Sequence, residues 1–121
     1  MKILVVDDDA HIRDLVRIKL QTSGHEVITA NDGEEGLATA LRELPGLALL
    51  DIAMPRLTGL EVCQQLRANP TTAMMPIVLI TARSSESDVE AGFAAGADDY
   101  ITKPFSPRDL VTRLEAIFER A

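Results

Sequence analysis

Four short apolar runs in this chain each end on a reactive polar residue, and a helical pattern separates each from the next. Leu4-Val5-Val6 runs into Asp7-Asp8, Leu49-Leu50 into Asp51, Ile77 to Ile80 into Thr81, and Tyr100-Ile101-Thr102 into Lys103. Runs this short, rich in Val, Ile and Leu and polar only at their ends, are strands of a parallel sheet covered on both faces. Ligands of such sheets bind at the carboxyl edge. The pattern therefore predicts that three carboxylates, a hydroxyl and an ammonium, dispersed along the sequence, converge on one crevice.

The spacing predicts five strands alternating with five helices. Strands are expected over 2–7, 25–29, 47–51, 77–81 and 99–102. The first helix carries Ile12, Leu15, Val16, Lys19 and Leu20 at intervals of three and four and ends at Ser23-Gly24. The second, opened by Asn31-Asp32-Gly33, carries Leu37, Ala38, Leu41 and Leu44 and stops at Pro45-Gly46. The third presents Leu60, Cys63 and Leu66 before Asn69-Pro70, and the fourth, capped by Ser84 or Ser85, ends at Gly96. Ser106-Pro107 opens the last helix, with Leu110, Val111, Leu114, Ile117 and Phe118 on one face. Right-handed crossovers then give an α/β fold, a three-layer, doubly wound (βα)5 with a parallel five-stranded sheet in the flavodoxin-like order 2-1-3-4-5.

At 121 residues the chain fits a single domain, residues 1–121. Nineteen acids against twelve bases give a net charge of −7, which disfavours direct nucleic acid binding and anionic lipid. No apolar stretch reaches the roughly 20 residues of a membrane span, and a cytoplasmic location is expected. Cys63, the lone cysteine, sits at helical spacing among apolar residues and reads as a buried structural thiol. His11 and His25 lack neighbours for a metal triad or a nucleophilic relay and read as surface or packing residues.

Taken singly, each polar strand end is unremarkable, since acids before helices are ordinary caps and a lysine before proline is ordinarily exposed. Their joint position has no folding reason. Two carboxylates about 5 Å apart repel by roughly 3 kcal/mol at an effective dielectric of 20, so a cation must offset them. Magnesium suits an all-oxygen set with one or two carboxylates. A divalent cation, a lysine and a hydroxyl together are equipment for stabilising a transferring phosphoryl group. The same repulsion predicts that magnesium raises the melting temperature and that Asp7→Ala stabilises the metal-free chain.

The chain resembles the receiver domain of two-component response regulators, in the CheY-like superfamily, from its first strand to its last helix. The residues that carry the likeness are Val5-Val6-Asp7-Asp8, Leu49-Leu50-Asp51 with Met54-Pro55 and Gly59, Thr81-Ala82, and Gly96-Ala97-Asp98-Asp99-Tyr100 followed by Lys103-Pro104-Phe105. The resemblance implies that Asp51 is the phosphoacceptor, taking a phosphoryl group from a phosphohistidine of a sensor histidine kinase or phosphotransfer protein. Asp8 and Asp51 would ligate magnesium or manganese, Asp7 would act through water, and the backbone carbonyl of Ala53 would complete the set. Lys103 would bind phosphoryl oxygens, and Thr81 would hydrogen-bond to them as Tyr100 turns inward. Ala53, Ala82 and Arg83 would tune the acyl phosphate lifetime, and the Lys103-Pro104 bond is expected to be cis.

By the same likeness the protein is a signalling switch rather than an enzyme, whose output partner or effector domain the sequence does not name. It is expected as a monomer or a phosphorylation-linked dimer. Val89 and Ala94 stand where the winged-helix transcription-factor branch has a base and an acid for dimer salt bridges. The competing reading is a magnesium-dependent phosphatase of haloacid dehalogenase type, for which Asp7 and Asp9 have the required spacing. That reading lacks a cap insertion and has Ala10-His11 where a hydroxyl and an apolar residue are required. A flavodoxin would place a flavin phosphate against three aspartates, and an adaptor with a dead site would leave the five groups without a role.

Overall fold

The computed structural model describes residues 1–120. Strands and helices alternate through β1 (Lys2–Val6), α1 (Ala10–Thr22), β2 (Glu26–Ala30), α2 (Gly33–Glu43), β3 (Leu47–Asp51), α3 (Gly59–Ala68), β4 (Ile77–Thr81), α4 (Glu86–Ala94), β5 (Asp99–Thr102) and α5 (Pro107–Arg120). All neighbouring strands pair in parallel, in the order β2-β1-β3-β4-β5. The fold expected from the alternation is the one observed.

Alternation along each strand assigns the two layers. Ile3, Val5, Leu47, Leu49, Val78, Ile80 and Ile101 face α1 and α5, where Val16, Leu20, Leu110, Leu114 and Ile117 meet them. The intervening residues Leu4, Val6, Ala48, Leu50, Ile77, Leu79 and Tyr100 face α2, α3 and α4 against Ala40, Val62, Cys63 and Leu66. Every residue of β3 and β4 is buried, as central parallel strands require.

Several boundaries differ from the periodicity by a residue or two. β1 ends at Val6 because Asp7 turns into the loop, and β2 runs on to Ala30, the register partner of Val6. α2 ends at Glu43 because Leu44 adopts a left-handed conformation, φ 46°. In α1 only Val16 and Leu20 are fully buried, while Leu15 and Ile18 are 41% and 54% exposed. Ser85, not Ser84, caps α4. Cys63 is buried, with its thiol donating to the Ala95 carbonyl at 3.3 Å and its pKa pushed up by burial to about 11. His25 packs its ring on Phe118, with centroids 5.4 Å apart.

Candidate functional site at the carboxyl edge of the sheet

β1 and β3 lie side by side, so the residues that follow their last apolar positions arrive together. Oxygens of Asp7, Asp8 and Asp51 lie within 4.8 Å of one another. Asp7 and Asp51 are buried, at 2% and 5% exposure, whereas Asp8 is exposed at the rim. All-oxygen donors so disposed fit a hard divalent cation such as magnesium.

The three consecutive aspartates divide their work in a way that spacing alone does not show. Asp9 is the N-cap of α1, its Oδ1 accepting from the backbone N–H of His11 and Ile12 at 2.9 and 3.3 Å. Asp7 turns the other way, into the sheet edge, and its Oδ1 accepts from the Asp9 N–H at 2.9 Å. The Asp7–Asp9 pair that a haloacid dehalogenase-type reading requires is thus split between a site and a cap. Arg13, which the sequence did not single out, donates from Nη1 to the Asp7 carbonyl at 2.8 Å and fixes the peptide between Asp7 and Asp8. Nothing in its spacing marked it.

Lys103 follows β5 directly. Its Nζ sits 3.0 Å from Asp7 Oδ2 and 3.3 Å from Asp51 Oδ2, so the acids have a charge partner within the protein. The Lys103 N–H donates to the Thr81 carbonyl at 2.8 Å, and the Lys103–Pro104 bond is cis. Burial alone would lower the ammonium pKa, but hydrogen bonds and charge from Asp7 and Asp51 outweigh it and raise it. This pairing revises the repulsion argument: Asp7→Ala would relieve Asp51 but would also remove one of two anionic partners of Lys103 and orphan the Asp9 N–H.

Asp51 is the more perturbed acid. Burial first, and the Asp7 charge second, push its carboxyl pKa up to about 6, against the opposing pull of Lys103 and a 3.3 Å hydrogen bond from the Ala53 N–H. Near neutral pH it is mostly ionised and only lightly solvated, the condition of an available oxygen nucleophile. Gly59 secures its backbone: the first residue of α3 packs onto the Asp51 carbonyl where a Cβ would not fit, and its N–H donates to Ile52.

Thr81 and Tyr100 meet at a single residue between them. Thr81 is fully buried and its Oγ1 accepts from the Arg83 N–H at 3.2 Å. The Tyr100 hydroxyl donates to the Arg83 carbonyl at 2.7 Å, and the ring is 6% exposed. The ring is thus turned inward in this structure, with its hydroxyl held by the loop that follows β4. Ala82 and Lys103 line an apolar recess of about 280 Å³ with Ile12, Leu15, Pro104 and Phe105. Ala53 and Ala82 are exposed and leave the approach to Asp51 unobstructed by side chains of their own.

Comparison with known proteins agrees with this geometry. The family model described as response regulator receiver domain matches residues 3–115. The chain is 50% identical over 120 residues to the alkaline phosphatase synthesis transcriptional regulatory protein PhoP of Bacillus subtilis, covering 99% of this chain and 49% of the relative. It is 48% identical over 120 residues to the response regulator MprA of Mycobacterium leprae, covering 99% and 52%. It thus spans about half the length of these relatives. Among solved structures, the chemotaxis response regulator CheY4 of Vibrio cholerae superposes with a TM-score of 0.91 at 36% identity, covering 96% of this chain and 97% of that one. The receiver domain of NtrX from Brucella abortus superposes at 0.89 with 35% identity, covering 98% and 99%. With the strand-end aspartates, the lysine and the sheet order already in place, these matches establish that the chain belongs to the response regulator receiver domain family.

Proposed function

We propose that residues 1–121 act as one receiver unit in which Asp51 is the phosphoacceptor of a two-component relay. The observation that carries this reading is a buried carboxylate, raised toward pH 6, held beside both a second acid and the Lys103 ammonium. An Asp51 oxygen attacks the phosphorus of a partner's phosphohistidine; the P–N bond breaks, the imidazole leaves, and an acyl phosphate forms on Asp51. Lys103 leaves its pairing with Asp51 to bind the phosphoryl oxygens, while Asp7 continues to hold and orient it. Asp8 and Asp51 would hold magnesium or manganese directly, Asp7 would act through water, and the Ala53 carbonyl would complete the protein's share. When bound, that cation offsets the charge of the acids and of the incoming phosphoryl group.

Thr81 then donates its hydroxyl to a phosphoryl oxygen. Its contact with the Arg83 N–H links that event to the Arg83 carbonyl, Tyr100 and the surface of α4, β5 and α5, where an output partner or effector domain would respond. Ala53, Ala82 and Arg83 border the path of the hydrolysing water and set the lifetime of the acyl phosphate. The kinase or phosphotransfer protein meets the recess between α1 and Phe105, where Leu15 is exposed beside the site. The net charge of −7 disfavours direct nucleic acid contact by this domain, and no described helix is long and apolar enough to cross a membrane.

The switch turns over once per activation and is not a phosphatase of external substrates. Incubation with magnesium and acetyl phosphate, followed by intact mass measurement, tests this. The wild type gains one phosphoryl group and Asp51→Asn gains none; multiple turnover of a phosphate monoester, or equal labelling of both proteins, would sink the reading.

A further inference from the structure

Gly92 lies in the last turn of α4, two residues before its end, and is the only buried residue of that helix. Its backbone is not left-handed, so conformation does not demand glycine there, and glycine is a poorer helix former than alanine. Contact supplies the reason. A Cβ at position 92 would stand 2.7 Å from Cδ2 and 2.9 Å from Cε2 of Tyr100, and 3.2 Å from Cδ1 of Leu79. Leu79 and Tyr100 are register partners on β4 and β5, so the bare helix backbone covers both. Leu79 is completely buried on an inner strand and has nowhere to move, whereas Tyr100 stands on the edge strand, from which its ring can swing to solvent.

We propose that Gly92 is the seat of the Tyr100 ring: the side chain missing from α4 admits the inward conformer, and position 92 decides whether the state of Asp51 reaches the α4, β5 and α5 surface. The inference rests on the receiver reading in one respect, that phosphorylation biases Tyr100. Gly92 touches neither the acids nor Lys103, so it acts on the response and not on the chemistry.

The chain contains one tyrosine and no tryptophan, which makes Tyr100 its own reporter. Burial, with the Asp88 charge behind it, raises the phenol pKa. In Gly92→Ala, acrylamide quenching of tyrosine emission should rise toward that of free N-acetyltyrosinamide, and the tyrosinate absorbance midpoint should fall. Magnesium with acetyl phosphate should still add one phosphoryl group by mass, yet leave both tyrosine signals unchanged. A Tyr100 as protected in Gly92→Ala as in the wild type overturns the inference. Melting curves cover the case of a poorly folded variant: Gly92→Ala should lower Tm in the wild-type background and raise it in a Tyr100→Ala background. Equal shifts in both backgrounds overturn the inference. Absence of the phosphoryl mass from the wild type would count against the receiver reading alone.

Discussion

Asp51 sits in surroundings that oppose its own ionisation, and that has a measurable sign. Its folded pKa of about 6 lies above the ordinary 3.8, so the folded state holds the proton more tightly than the unfolded state. The resulting stabilisation is complete below about pH 4 and is lost as the pH rises through about 6. The interval corresponds to an upper figure of about 3 kcal/mol. Lys103, whose pKa is raised from an already high value, contributes no titration in that window. Without metal, Tm of the wild type relative to Asp51→Asn should therefore fall between about pH 4 and pH 7; a constant difference would refute the placement of Asp51 in a desolvated acidic pair. Arg56 poses a different residue-scale test. It is held at φ 71°, a conformation suited to glycine, and its guanidinium reaches Asp32 and Glu34 only at 3.7 and 3.9 Å. Exposed pairs of that kind contribute little, so Arg56→Gly should stabilise by about 0.5–1 kcal/mol in urea denaturation. The strand-end residues were legible because each terminates an apolar run. Asp9 was not separable from Asp7 and Asp8, since a cap and a ligand have the same side chain. Arg13 left no signal because its partner is a backbone carbonyl six residues away.

At the scale of elements, the strands were legible to within a residue because length and flanking turns bound them. Helix ends were less so: a left-handed leucine at position 44 ends α2 where sequence pattern points to the following Pro45-Gly46. Arg67 shows what pattern misses. It ties the end of α3 to the loops on either side, donating to the carbonyls of Gly96, Ala73 and Met75 and pairing with Asp98 at 2.9 Å. None of those partners is near it in the helical repeat. The start of α3 is better marked. Thr58 and Glu61 form a reciprocal capping box, with Glu61 N–H to Thr58 Oγ1 at 3.2 Å and Thr58 N–H to Glu61 Oε1 at 3.1 Å. Because Gly59 in that first turn packs on the Asp51 carbonyl, the cap also steadies the site. Thr58→Ala should cost about 1 kcal/mol in urea denaturation. It should also weaken magnesium binding, which titration calorimetry would detect; an unchanged affinity would separate the cap from the site.

For the molecule as a whole, alternation of strand and helix implied the layers, and right-handed crossovers with the doubly wound precedent implied the order, which is why distant acids could be placed together from sequence. The internal ion pairing could not be, because it depends on how far the Lys103 side chain reaches across β4 from β5. That pairing changes the final expectation. Asp7→Ala confounds the loss of a charge with the loss of an acceptor for the Asp9 N–H, whereas Asp7→Asn can keep the acceptor and remove the charge. With one fewer acid beside Asp51, the metal-free Asp7→Asn protein should melt no lower than the metal-free wild type. Magnesium at about 100 times its dissociation constant adds about 2.7 kcal/mol to the wild type, a rise of roughly 10 °C for a domain of this size. In Asp7→Asn that rise should shrink, because the charge that makes the pocket costly when empty is the charge that attracts the cation. If scanning calorimetry instead shows both proteins gaining equally from magnesium, the cation is held at the exposed rim by Asp8 and not by the buried pair.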